Sequence, residues 1–210
     1  AMTEENMLGT GQYQNWVQFF PKIRKDLYFV MDDSWDIPRN ENSANRNPYL
    51  GLCELDEGRS PSYRGTATER LGQLTKRIKQ AGWKGAGGWI CAQKADRHEH
   101  QSEEEYWTER LKAANEAGFS YWKVDWGHQD RNEGWRRMLT RMGKKYAPNL
   151  WIEHAMHGHF IRFSDAFRTY DVENIIAQPL TIRRVAELLP YKTEGNNKGI
   201  INCEDEPYIA

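Results

Sequence analysis

The chain has 210 residues, with 29 Lys and Arg against 30 Asp and Glu and a formal net charge of -1. That length suits one well-buried core and is too short for two full enzyme domains. The balanced charge argues against nucleic acid as a partner, and no apolar stretch approaches the ~20 residues of a membrane span.

Cys53, Cys91 and Cys203 are widely spaced and form no CxxC pair, so a disulfide framework is not indicated. Aromatic residues make up 12% of the chain, nine of them Trp. Many stand beside acids at the ends of apolar runs, a setting that favours sugar platforms because a pyranose face packs well on a flat ring. Ala1-Met2 reads as a cloning scar at the head of an N-terminal tail over 1–12. Localisation and oligomeric state are left open, with a secreted or periplasmic location slightly favoured.

Taken in order, short apolar runs at 28–31, 88–91, 121–124, 150–152, 166–169 and 199–202 read as strands, each closing on a polar or acidic cluster. Between them, 66–81, 103–117, 133–146 and 180–189 carry apolar residues at three-and-four spacing among charges, the pattern of surface helices. Gly82 and Gly118 fit helix ends. Segment 36–62, rich in Asn, Arg, Pro and Gly, reads as a long loop over the strand ends. Strand, helix, strand in one direction requires a parallel sheet, and right-handed crossovers of this length close into a (β/α)8 barrel. An open doubly wound sheet is the rival, disfavoured because no GxGxxG or GxxxxGK loop follows the first strand. About six strands are visible where a barrel needs eight, so the barrel is expected to be incomplete. The whole of 1–210 is read as one catalytic domain or a fragment of one.

The strongest local signal is Tyr121-Trp122-Lys123-Val124-Asp125-Trp126-Gly127. Lys and Asp two residues apart on a strand share a face, and a carboxylate kept ionised beside a cation can serve as a nucleophile. A structural ion pair filling the barrel mouth explains the same residues. Asp32-Asp33-Ser34-Trp35 closes the first strand; two acceptors beside an indole suit adjacent sugar hydroxyls, as they also suit a turn or a helix cap. Glu153 and the run Arg168-Thr169-Tyr170-Asp171 supply acids from two further strand ends, with salt bridges to Arg162 or Arg168 as the plainer explanation. Converging carboxylates are what glycoside hydrolysis needs, one to attack the anomeric carbon and one to protonate the leaving oxygen. His154, His157 and His159, with His98, His100 and His128 on other loops, admit a metal site as an alternative. Hydrogen-bonding loop histidines are preferred.

At these residues the chain resembles the α-galactosidase clan of retaining glycoside hydrolases, families 27 and 36, over about 28–208. The matches are Asp32-Asp33-Ser34-Trp35 for the clan's sugar-binding strand end, then the helix, turn and strand through Gly82-Trp83-Lys84 and Gly87-Gly88-Trp89-Ile90. Lys123-Val124-Asp125 follows for its Lys-x-Asp nucleophile strand. The resemblance implies a substrate-contacting Glu at Glu153 and an acid/base at Asp171, with Arg168 ahead of it at the spacing of family 36. Two departures stand out: Ala155-Met156-His157-Gly158-His159 replaces a Cys- and Gly-rich stretch, and the usual first-strand Trp region has no counterpart.

The resulting expectation is a retaining exo-α-glycosidase, α-galactosidase-like, with Asp125 and Asp171 catalytic. Asp32, Asp33, Trp35, Trp89, Lys123, Trp126, Glu153 and Arg168 would bind a carbohydrate substrate. No metal and no cofactor is called for by this chemistry. A carbohydrate-binding barrel without turnover and a metal-dependent barrel hydrolase are the rival readings.

Overall fold

The computed structural model describes residues 2–9, 15–42, 47–155, 160, 162–168 and 200–202, with 167–168 and 200–202 as backbone only. Helix α1 (Glu4–Leu8) precedes strand β1 (Tyr28–Met31), followed by α2 (Ala67–Gln80), β2 (Gly85–Ile90), α3 (Glu103–Glu116) and β3 (Tyr121–Val124). Then come α4 (Glu133–Tyr146), β4 (Trp151–His154), β5 (Ala166–Arg168) and β6 (Ile200–Asn202). The six strands form one sheet in the order β1-β2-β3-β4-β5-β6, and every neighbouring pair is parallel. Among the described residues this sheet is not closed, so an eight-stranded barrel is not shown. The helix expected at 180–189 and the closing residue of the strand expected at 166–169 lie outside the described residues.

Local chemistry explains the helix boundaries. Thr66 and Ser102 each open a helix with a capping box, accepting from the backbone N–H of Glu69 and Glu105 while those carboxylates reach back to the cap, which satisfies orphan donors at both ends of the exchange. Gly82 and Gly118, both at positive φ, follow the ends of α2 and α3 as expected. Residues 4–8, inside the presumed tail, are helical, and Met7 is buried in the core.

Strand β2 begins three residues earlier than its hydrophobic pattern suggests, because its glycines serve close approach rather than burial of side chains. A Cβ on Gly88 would lie 2.9 Å from the indole of Trp35. Trp35 is 1% exposed, and its Nε1 donates to the Trp89 carbonyl at 2.7 Å. Gly88 is in register with Trp122 and through it with Ile152, so Trp35 packs on the face shared with Trp122. Gly88→Ala is therefore expected to cost about 1–3 kcal/mol by overpacking. Urea unfolding should show it as a lower midpoint at unchanged slope, and an unaltered midpoint would contradict the packing described.

Much of the aromatic content is spent between helices and sheet. Trp107 of α3 packs against Trp122 of β3 and Trp135 of α4, with ring centroids 6.1 and 5.4 Å apart. Glu103 accepts both indole N–H groups, from Trp107 at 2.9 Å and Trp135 at 3.0 Å. These Trp residues bind helix to helix and to the sheet, not sugar to a platform.

The 36–62 loop is irregular, as expected, yet it is packed. Ile37, Leu50, Leu52 and Leu55 are buried. Arg59 reaches the carbonyls of Ile37, Pro38 and Glu41, and Tyr106 of α3 donates to the Gly51 carbonyl at 2.6 Å. Within the loop Asp36 is wholly buried and accepts from the Cys53 N–H at 2.8 Å. Burial pushes its carboxyl from 3.8 up to about 7. Between those two values the folded chain holds a proton that the unfolded chain has lost, so this contribution to stability is full below the first and lost as pH rises through the second. Asp36→Asn should flatten that dependence when unfolding midpoints are compared at about pH 5 and about pH 8. An identical pH slope in both chains would rule the assignment out.

Candidate active site

Parallel register sets the site. Trp89, Lys123 and Glu153 are Cα partners across β2, β3 and β4, so their side chains share one sheet face, opposite to that of Gly88, Trp122 and Ile152. Lys123 is 3% exposed, and its Nζ lies 3.3 Å from Oδ1 of Asp32 just beyond β1. A buried ammonium needs such a partner, and the pair runs from the sheet interior to the exposed carboxylate at the strand end. Two residues earlier on the same face of β3, the buried Tyr121 hydroxyl donates to Glu153 Oε2, while its ring lies 5.4 Å from that of Tyr28.

Asp125 follows β3 directly. Its backbone N–H donates to the Ile90 carbonyl at 3.0 Å, and its Oδ2 accepts from Trp89 Nε1 at 3.0 Å. Trp89 is 1% exposed and packs on half-buried Trp126 at 5.3 Å. Carboxylates crowd this end of the sheet: Asp33, Asp36 and Asp125 all add to the burial that pushes the Cys91 thiol up. Burial likewise raises the Cys53 thiol, with Asp36 adding to it.

The structure brings Asp32, Asp125 and Trp126, just beyond the ends of β1 and β3, together with Trp89, Lys123 and Glu153 at the penultimate positions of β2, β3 and β4. Two assignments change. Trp35 faces the helix side and is buried, so it presents no platform. Trp89 is also buried, and its indole serves Asp125 as a hydrogen-bond donor. Asp33 accepts from Ser34 Oγ at 3.2 Å within its own turn, whereas Asp32 is the acid that meets Lys123. Glu153 lies within β4 and not at its end, because the strand runs on to His154. Arg168 occupies β5 two positions beyond Ala166, the register partner of Glu153. Asp171, His157 and His159 lie outside the described residues.

The metal alternative loses its first member. His154 is in register with Val124, one position beyond Glu153 and hence on the opposite face. Its ring is buried between Arg136, 3.4 Å from Nδ1, and Thr140, 2.8 Å from Nε2. Among the described residues no group of three or more His, Cys, Asp or Glu has a metal-binding arrangement, and no helix is long and apolar enough to cross a membrane.

Two contributors escaped the sequence reading. Tyr121 could have been found by the same alternation that pairs Lys123 with Asp125. Arg136 carried a subtler signal: it stands three residues before Leu139 on the buried stripe of α4, where a cation needs a reason.

Fold and site together define an α/β domain with a parallel sheet and acids gathered at its strand ends. Its architecture is similar to that of a GH27 β-L-arabinopyranosidase from Geobacillus stearothermophilus, whose crystal structure holds arabinose. The TM-score is 0.50 at 14% identity, covering 72% of this chain and 47% of that one. The chain thus spans about half the length of that enzyme, and the likeness establishes a GH27-like fold. No protein-family model matches the chain, and no curated protein does so significantly.

Proposed function

We propose that this chain carries the site of a retaining exo-α-glycosidase, α-galactosidase-like, that removes a terminal α-linked sugar by double displacement. A carboxylate oxygen of Asp125 attacks C1 as the bond from C1 to the leaving oxygen breaks, and Asp171 gives that oxygen its proton. Asp171 then takes a proton from water, the water oxygen bonds to C1, and Asp125 is released. Two inversions give net retention.

The observation that carries this reading is the row formed by Asp32, Lys123 and Glu153 beside Asp125. Asp32 is the exposed member of that row, with Lys123 at 3% and Glu153 at 0% exposure behind it, so the carboxylates would accept and the ammonium donate to hydroxyls of a sugar seated deep in the sheet end. The indole of Trp89 fixes the rotation of the Asp125 carboxylate, as attack in line with the leaving bond demands. Half-buried Trp126 is the platform candidate, and Asp33 and Arg168 complete the proposed sugar contacts. The sugar in the neighbouring GH27 structure is compatible with a carbohydrate partner. No cofactor enters this chemistry.

Hydrolysis of aryl α-galactosides and α-glycosides of related sugars, followed by NMR of the first-formed product, tests the proposal. It predicts release of the α-anomer. A β-anomer would exclude double displacement, and binding without release would favour the carbohydrate-binding alternative.

A further inference from the structure

The geometry points to Arg136 as the positioning residue of Asp125, an inference that rests on the reading of Asp125 as nucleophile. Arg136 projects from the first turns of α4 and is wholly buried. Its Nη2 donates to the Asp125 carbonyl at 2.6 Å, Nη1 to the Val124 carbonyl at 2.9 Å and Nε to the Asp130 carbonyl at 3.0 Å. One planar guanidinium therefore holds both ends of the turn that presents Asp125. Only arginine offers five donors in a rigid fork.

Stability alone gives this residue little reason to be there. A cation near a helix N-terminus opposes the helix dipole, and burial drives the guanidinium down to about 10, with Asp125 the leading attraction in the other direction. An apolar side chain could fill the same space between Trp135 and Phe160, whose rings it faces at 5.9 and 5.0 Å, without desolvating a charge. What it could not do is fix the main chain of Asp125. His154 meets the guanidinium edge at Nη1 and is itself held by Thr140, so the clamp has its own support on the helix side of the sheet.

Arg136→Lys keeps the charge but cannot reach three divergent carbonyls, and Arg136→Met removes the charge and the donors together. With the intact gene product and an aryl α-glycoside that the wild-type protein hydrolyses, steady-state kinetics normalised to folded protein by near-UV circular dichroism should show kcat reduced about 10²-fold in Arg136→Lys, as for an ångström-scale misplacement. KM should stay within about twofold, since the sugar contacts from Asp32, Lys123 and Glu153 do not pass through Arg136. Arg136→Met should lose more than Arg136→Lys. A purely structural role would lower the folded fraction and leave kcat per folded molecule unchanged, which would overturn the inference while the glycosidase reading stood. Failure of both variants to fold would overturn it as well, because the guanidinium would then serve the whole domain and not one carboxylate. A wild-type protein with no turnover on any α-glycoside would remove the reading on which the inference rests.

Discussion

Asp125→Asn is expected to abolish hydrolysis, even of aryl glycosides whose leaving groups need no protonation. The amide cannot form the glycosyl-enzyme, and removal of a covalent nucleophile costs on the order of 10⁴–10⁶ in kcat. Fold and sugar binding should survive. Asn retains an oxygen for the Trp89 indole N–H, Arg136 still holds the main-chain carbonyl, and the ion pair of Lys123 with Asp32 is untouched. Isothermal titration with the product sugar should therefore give wild-type affinity within a few-fold, alongside an unchanged unfolding midpoint. Normal turnover in this variant would reopen the binding and metal readings.

Asp171→Asn should behave differently, because the same carboxyl is asked to act first as acid and then as base. An activated aryl glycoside needs little help from an acid, so its first step should proceed. The second step, which needs a base, should slow by about 10²–10⁴. A burst of phenol followed by a slow steady state is the expected time course, and azide, which needs no deprotonation, should restore turnover and leave as a glycosyl azide of retained configuration. Equal losses on activated and unactivated substrates, with no azide rescue, would take the acid/base role away from Asp171. A retaining path also requires the two carboxyl groups to stand about 5–5.5 Å apart, against ~6.5–9.5 Å for inversion.

The parts of the fold legible from sequence were those whose signals are local. Strands 28–31 and 121–124 and helix 133–146 fall at the expected residues, because alternation, three-and-four spacing and a cap are all properties of neighbouring positions. The gathering of Asp32, Lys123, Asp125 and Glu153 was legible for the same reason, since a parallel sheet carries strand-end residues to one rim. What escaped depends on distant partners. The early start of β2 hides in glycines whose need becomes visible only when Tyr121 and Trp35 come within 3 Å of a Cβ. An indole beside an acid looks alike in sequence whether it stacks on sugar or fills a core, so Trp35 and Trp89 were assigned to ligand although both are buried. Arg136 was not singled out in sequence, because its three carbonyl partners at Val124, Asp125 and Asp130 lie outside its own helix.

The most direct test of the account is to trap the covalent intermediate. A fluorinated α-glycosyl donor with a good leaving group, which glycosylates a retaining enzyme faster than the adduct is hydrolysed, should add one sugar to the intact protein. Tryptic cleavage after Lys123 and Arg131 would isolate residues 124–131, and fragmentation of that peptide should put the sugar on Asp125. An adduct on any other carboxylate, Asp130 of the same peptide included, would contradict the account.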